Sequence, residues 1–102
     1  MRWALLLPVL TLAGCAKNTF VVEDPKHLVR TATLFLCDSE TPLDRSGNTF
    51  NVTRRVNCEG DGEIRLIYND RGPEHCWIGY VTSDAEQHFH FRAERSGCSP
   101  VF

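Results

Sequence analysis

The side chains able to do chemistry are few. His88-x-His90 places two imidazoles on one face of an extended segment, about 7 Å apart, a spacing that serves metal ligation, with His75 one hairpin away. The third ligand is missing, because His75 adjoins Cys76, a cysteine expected to be oxidised. The histidines therefore read as an exposed pair, and no metal is expected. Asn57-x-Glu59-x-Asp61-Gly62 has the alternating oxygen donors and the glycine that open a calcium loop. Tyr68 stands where the closing glutamate would be, and strand-like runs flank the segment, so a hairpin turn is the stronger reading. Carboxylates such as Asp38, Glu40 and Glu63 are candidates for acid–base work, but their spacing does not pair them. The chain has no Gly-x-Ser-x-Gly elbow, no glycine-rich phosphate loop and no His-Glu-x-x-His. No catalytic residue, enzymatic activity or cofactor is expected.

The cysteines divide into one and four. Cys15 closes Leu12-Ala13-Gly14-Cys15, behind Met1, Arg2 and an apolar run from Trp3 to Leu12 that is too short to cross a bilayer as a permanent helix. The arrangement resembles the lipobox of bacterial lipoproteins, in which the signal is cut just before the cysteine and the cysteine becomes the acylated first residue. The resemblance covers residues 1–16. It implies a signal peptide over 1–14 and lipid attachment, palmitate included, at Cys15. Each buried methylene contributes about 0.8 kcal/mol and about two chains suffice for stable attachment, so the three acyl chains of this family anchor practically permanently. Alanine at position 16, rather than aspartate, implies the outer membrane of an enterobacterium-like cell, with the domain facing the periplasm or the surface.

Cys37, Cys58, Cys76 and Cys98 remain, an even number in a small exported domain, which reads as two structural disulfides. No Cys-x-x-Cys occurs, so thioredoxin-like redox chemistry and zinc knuckles lack their signature. Each closed loop of about twenty residues is worth about 3 kcal/mol to a small core. Without residues 1–14 the chain keeps about 88 residues, enough for one small domain. Loss of Arg2 takes the formal net charge from −2 to about −3, a poor balance for bulk binding of nucleic acid or anionic membrane. No nucleic-acid partner is expected, and lipid is the expected membrane attachment.

The elements that must position these residues follow from patterning. Asn18, Glu23, Asp24, Pro25 and Lys26 surround a small Phe20-Val21-Val22 cluster, so residues 15–30 read as a lipidated tether. From Thr31 to residue 102, short β-branched and aromatic runs cut by turn residues indicate an all-β globular domain. Five strands are expected, near 31–37, 49–57, 63–69, 75–82 and 87–93. Residues 59–62, 69–73 and 83–86 make hairpin-length links, which predicts an antiparallel meander in the last four strands. The longer 38–48 link lets the first strand join a second sheet or close a barrel. The fold class is thus a disulfide-stabilised sandwich or partly closed barrel. In such a meander Cys76 lies near the end of the fifth strand, where Cys98 follows, so Cys76–Cys98 is the preferred bridge. Cys37–Cys58 then follows by subtraction, although a simple hairpin of the first two strands would place these two at opposite ends.

Period-two alternation assigns Phe50, Val52, Val56, Ile64, Leu66, Tyr68, Ile78, Tyr80, Phe89 and Phe91 to a core face. The opposite positions hold Arg55, Arg65, Trp77, His88, His90 and Arg92, while the turns collect carboxylates: Asp38, Glu40, Asp44, Glu59, Asp61, Asp84 and Glu86. The domain is therefore expected to present one basic, aromatic face for an acidic or carbohydrate-bearing partner, weighed against a plain solvated face on which an arginine stacks over Trp77. The function expected is that of a non-catalytic binding or inhibitory lipoprotein that occludes a protein partner in the envelope. Leu34-Phe35-Leu36-Cys37-Asp38 is similar to the first strand and cysteine of small membrane-bound lysozyme inhibitors, whose inserted Ser-rich, Gly-containing loop has no counterpart here. The alternatives are an assembly accessory of an envelope complex and a phage or plasmid exclusion lipoprotein that blocks a surface receptor.

Overall fold

The computed structural model describes residues 16–102, so Cys15 and the signal-like segment lie outside the described residues. The described chain is all β, in two sheets. Its strands are β1 (Lys17–Glu23), β2 (Val29–Leu36), β3 (Ser39–Pro42), β4 (Asp44–Ser46), β5 (Thr49–Arg55), β6 (Gly60–Tyr68), β7 (Pro73–Val81), β8 (His88–Glu94) and β9 (Gly97–Pro100). One sheet runs β4-β5-β1-β8-β9 and the other β3-β2-β6-β7, packed as a sandwich with no closed barrel.

All five expected strands are present, as β2, β5, β6, β7 and β8. The tether is not. Lys17–Glu23 is the middle strand of the larger sheet, antiparallel to β5 and parallel to β8. Its inward positions are Asn18, Phe20 and Val22, with Asp24 continuing the period just beyond it, all of them fully buried. Two polar residues can sit inside because each is bonded. Asn18 Oδ1 accepts from the Gln87 backbone N–H at 2.8 Å. The Asp24 carboxylate accepts from the N–H groups of Leu28 (2.8 Å) and Val29 (3.1 Å) and from Arg45 (3.0 Å). Those same polar residues are what made the segment read as solvated.

The meander is also replaced. Of its links, only β6 to β7 is a hairpin within one sheet; residues 56–59 and 82–87 carry the chain from one sheet to the other. β3 and β4 form one extended segment that changes sheets at buried Leu43. Between the sheets, Phe20, Val22, Leu34, Ile64, Leu66 and Val81 are wholly buried, and Phe20 stacks on Phe89 at 5.3 Å. Tyr68 reaches across the layers to donate toward the carbonyls of Glu94 (2.9 Å) and Gly97 (2.7 Å), which ties β6 to the β8–β9 turn.

Both bridges form as read, Cys37–Cys58 and Cys76–Cys98, with Cα–Cα distances of 5.9 and 5.4 Å. The geometry differs from that of a meander. Cys76 on β7 and Cys98 on β9 lie in different sheets, so this bridge pins the two layers together. Cys37 follows β2 and Cys58 precedes β6, which are antiparallel neighbours, so the pair meets at one end of that ladder.

Candidate functional site

The outer face of the smaller sheet holds the most pronounced surface feature. Pairing across all four of its strands sets Glu40, Phe35, Glu63 and Trp77 in one row from β3 to β7. The adjoining row contains Arg65 beside His75. The Arg65 guanidinium lies over the Phe35 ring at 4.1 Å and bonds Glu63 at 3.0 Å, His75 bonds the other Glu63 oxygen, and His75 stacks on Trp77 at 5.1 Å. This chain of contacts holds the aromatic groups in fixed rotamers, the preorganisation that would lower the ordering cost of any binding at this face. Burial alone would raise the Glu63 pKa; the hydrogen bonds and charges of His75 and Arg65 outweigh it and hold the carboxyl below its ordinary value of 4.5.

A bulge adds a second aromatic to this face. Glu63 pairs with Trp77 whereas Gly62 pairs with Gly79, so Ile78 is the extra residue, and Gly79 takes φ +86°, a conformation suited to glycine. The inserted residue reverses the alternation. Tyr80 was expected in the core; it stands 60% exposed, and Trp77 is 70% exposed. The Tyr80 hydroxyl donates to Glu59 at 2.8 Å, a bond that raises the phenol pKa.

Beside this row lies a cleft of about 760 Å³ whose walls include Phe35, Trp77, both residues of the Cys37–Cys58 bridge, and Asp38, Glu40, Glu59, Asp61 and Glu63. Among the described residues no lysine or arginine lines it. The β2–β3 turn at its edge places Cys37 (φ +59°) and Asp38 (φ +57°) in the left-handed region, the geometry of a tight primed turn. Non-glycine residues disfavour that region, and the bridge to Cys58 holds Cys37 there. Of residues 59–62, expected as a turn, Glu59 ends the link between sheets and Gly60 to Gly62 begin β6: Gly62 is packed so closely against Leu36 and the Phe35 carbonyl that a Cβ would lie 3.1 Å from Leu36. Glu59 accepts from Tyr80 and Thr82 rather than closing a calcium loop.

The single basic face is not found. Trp77 and Arg65 belong to the smaller sheet, whereas Arg55, His88, His90 and Arg92 lie on the outer face of the larger sheet, on the opposite side of the sandwich. There, Glu23 binds His90 at 2.6 Å and Arg92 at 3.0 Å, and Arg92 foremost holds its carboxyl below 4.5. His75 is likewise on the other side from the His88/His90 pair, because residues 82–87 change sheets rather than close a hairpin. Among the described residues no group of three or more His, Cys, Asp or Glu side chains could hold a metal ion. Of the carboxylates expected in turns, Glu40, Asp44 and Asp61 stand on β3, β4 and β6 instead, and the gathering of Asp38, Glu40, Glu59 and Asp61 at the cleft with Trp77 was not legible in the sequence, since it needs the β3-β2-β6-β7 order.

No known protein family, no curated protein and no solved structure matches the chain. The site therefore stands on its geometry.

Proposed function

We propose that the protein is a lipoprotein whose β domain binds and occludes a protein partner without catalysis, anchored by acyl chains on Cys15 at the outer membrane. The observation that carries the binding role is the exposed Trp77, pre-positioned by His75, Glu63 and Arg65 beside an open cleft. Rigid aromatic side chains beside charged groups are the usual energetic centres of protein interfaces. Support for the anchor is the lipobox-like Leu12-Ala13-Gly14-Cys15. Among the described residues no helix is long and apolar enough to cross a membrane.

The expected face divides between the sheets: Arg55, His88, His90 and Arg92 stay on the larger one, and Trp77 stands on the smaller. The smaller sheet offers an aromatic surface with carboxylates, so the partner is positively charged where it meets Trp77. The test places a photoreactive residue at position 80 in intact envelopes. A discrete adduct of fixed stoichiometry is expected, together with its loss in Trp77→Ala at a stability within about 0.5 kcal/mol of wild type. A folded Trp77→Ala protein that still captures the partner with full yield would remove this role. Mass spectrometry of the mature chain tests the anchor separately.

A further inference from the structure

The Trp77 cleft has one rim tied to the start of the domain. The Ala16 carbonyl accepts from the Val56 backbone N–H at 3.1 Å and from Asn18 at 3.4 Å. The three residues after Val56, namely Asn57, Cys58 and Glu59, form part of the cleft wall. The chain is thus fixed to the sandwich one residue beyond Cys15, and successive Cα atoms are only about 3.8 Å apart. With β1 built into the sheet, no spacer separates the lipid attachment point from the cleft rim.

We infer that the cleft works at the bilayer surface and takes a Lys/Arg-bearing juxtamembrane segment of a protein embedded in the same membrane, an inference that rests on the acylated Cys15 proposed above. Two observations select this occupant. The first is charge and shape: Trp77 supplies an exposed ring face, and Asp38, Glu40 and Asp61 supply exposed carboxylates, the combination that holds guanidinium and ammonium groups. Phosphate headgroups carry the wrong sign for this cleft and are repelled from it. The second is reach: a domain held flush against the membrane meets segments at headgroup level, and shared confinement raises their effective concentration.

The acylated protein is reconstituted in phosphatidylethanolamine/phosphatidylglycerol vesicles with a tryptophan-free single-span peptide flanked by an Arg/Lys segment. Trp77 is the only tryptophan beyond residue 14, so its emission reports occupancy. Half-saturation is expected at least about tenfold lower than for the same basic segment supplied free in solution. Asp61→Asn combined with Glu40→Gln, both at exposed positions, is expected to weaken binding about tenfold with the fold intact. A Gly/Ser linker of about twenty residues between Cys15 and Ala16, opened with an alanine, gives a reach of about 25 Å and is expected to remove the membrane advantage. Equal response to an acidic segment, a response to lipid alone, or an advantage that survives the linker would overturn the inference while leaving the anchored binding domain standing. A Cys15 found without fatty acid would instead sink the anchoring reading, and this inference with it.

Discussion

Glu63 is the hinge of the aromatic face, because one carboxylate receives both Arg65 and His75 and so sets the position of the ring stacked on Trp77. Its pKa lies below 4.5 in the folded chain. A carboxylate with a depressed folded pKa contributes stability that is complete above the unfolded value and is lost as pH falls through the folded one. Urea midpoints are therefore expected to fall on acidification below about pH 4.5, and less steeply in Glu63→Gln than in the wild type; equal slopes would show that the triad does not hold in solution. Tyr68 makes a different contribution. Its ring is buried and its hydroxyl donates across the layers toward Glu94 and Gly97, so Tyr68→Phe leaves the buried Gly97 carbonyl short of a donor and is expected to cost about 1 to 2 kcal/mol in denaturant titration.

At the level of elements, β1 decides the architecture. It contributes Phe20 and Val22 to the core and, among the described residues, stands between β5 and β8 in the larger sheet, joining them. A truncation beginning at residue 31, where patterning first shows regular strands, is therefore expected not to fold, with dispersed amide signals lost from its NMR spectrum. A dispersed spectrum would mean that the remaining strands close the sheet by themselves. The strand was hidden because Asn18 and Asp24 occupy inward positions, and a polar side chain inside a sheet is recognisable only once its partners, Gln87, Leu28, Val29 and Arg45, are in view. The β7 bulge was hidden for a related reason. Gly79 in the run Ile78-Gly79-Tyr80 marks a place where the alternation can slip, but the unmatched Ile78 is visible only against β6.

Across the whole molecule, the two outer faces differ in chemistry. The larger sheet displays Lys17, Arg55, His88, His90 and Arg92, the last two bonded to Glu23, and the smaller displays Trp77 and Tyr80 beside the carboxylates of the cleft. If partner capture belongs to the smaller sheet, Arg92→Ala and His90→Ala are expected to leave the adduct at position 80 unchanged. A loss equal to that of Trp77→Ala would mean that one partner wraps around both faces.

By itself the sequence determined the all-β class, the positions of five strands, the presence of two disulfides and the part of the core formed by Phe50, Val56, Ile64, Leu66, Tyr68 and Phe91, because period-two burial, turn residues and cysteine parity are local or countable signals. Tertiary structure alone decided the sheet order, the place of β1, the outward turn of Tyr80, the separation of Trp77 from His88 and His90, and which cysteines meet. Each of these depends on which strands become neighbours across long stretches of chain, and period-two alternation reports only that a residue faces in or out of its own strand, not which sheet that strand joins.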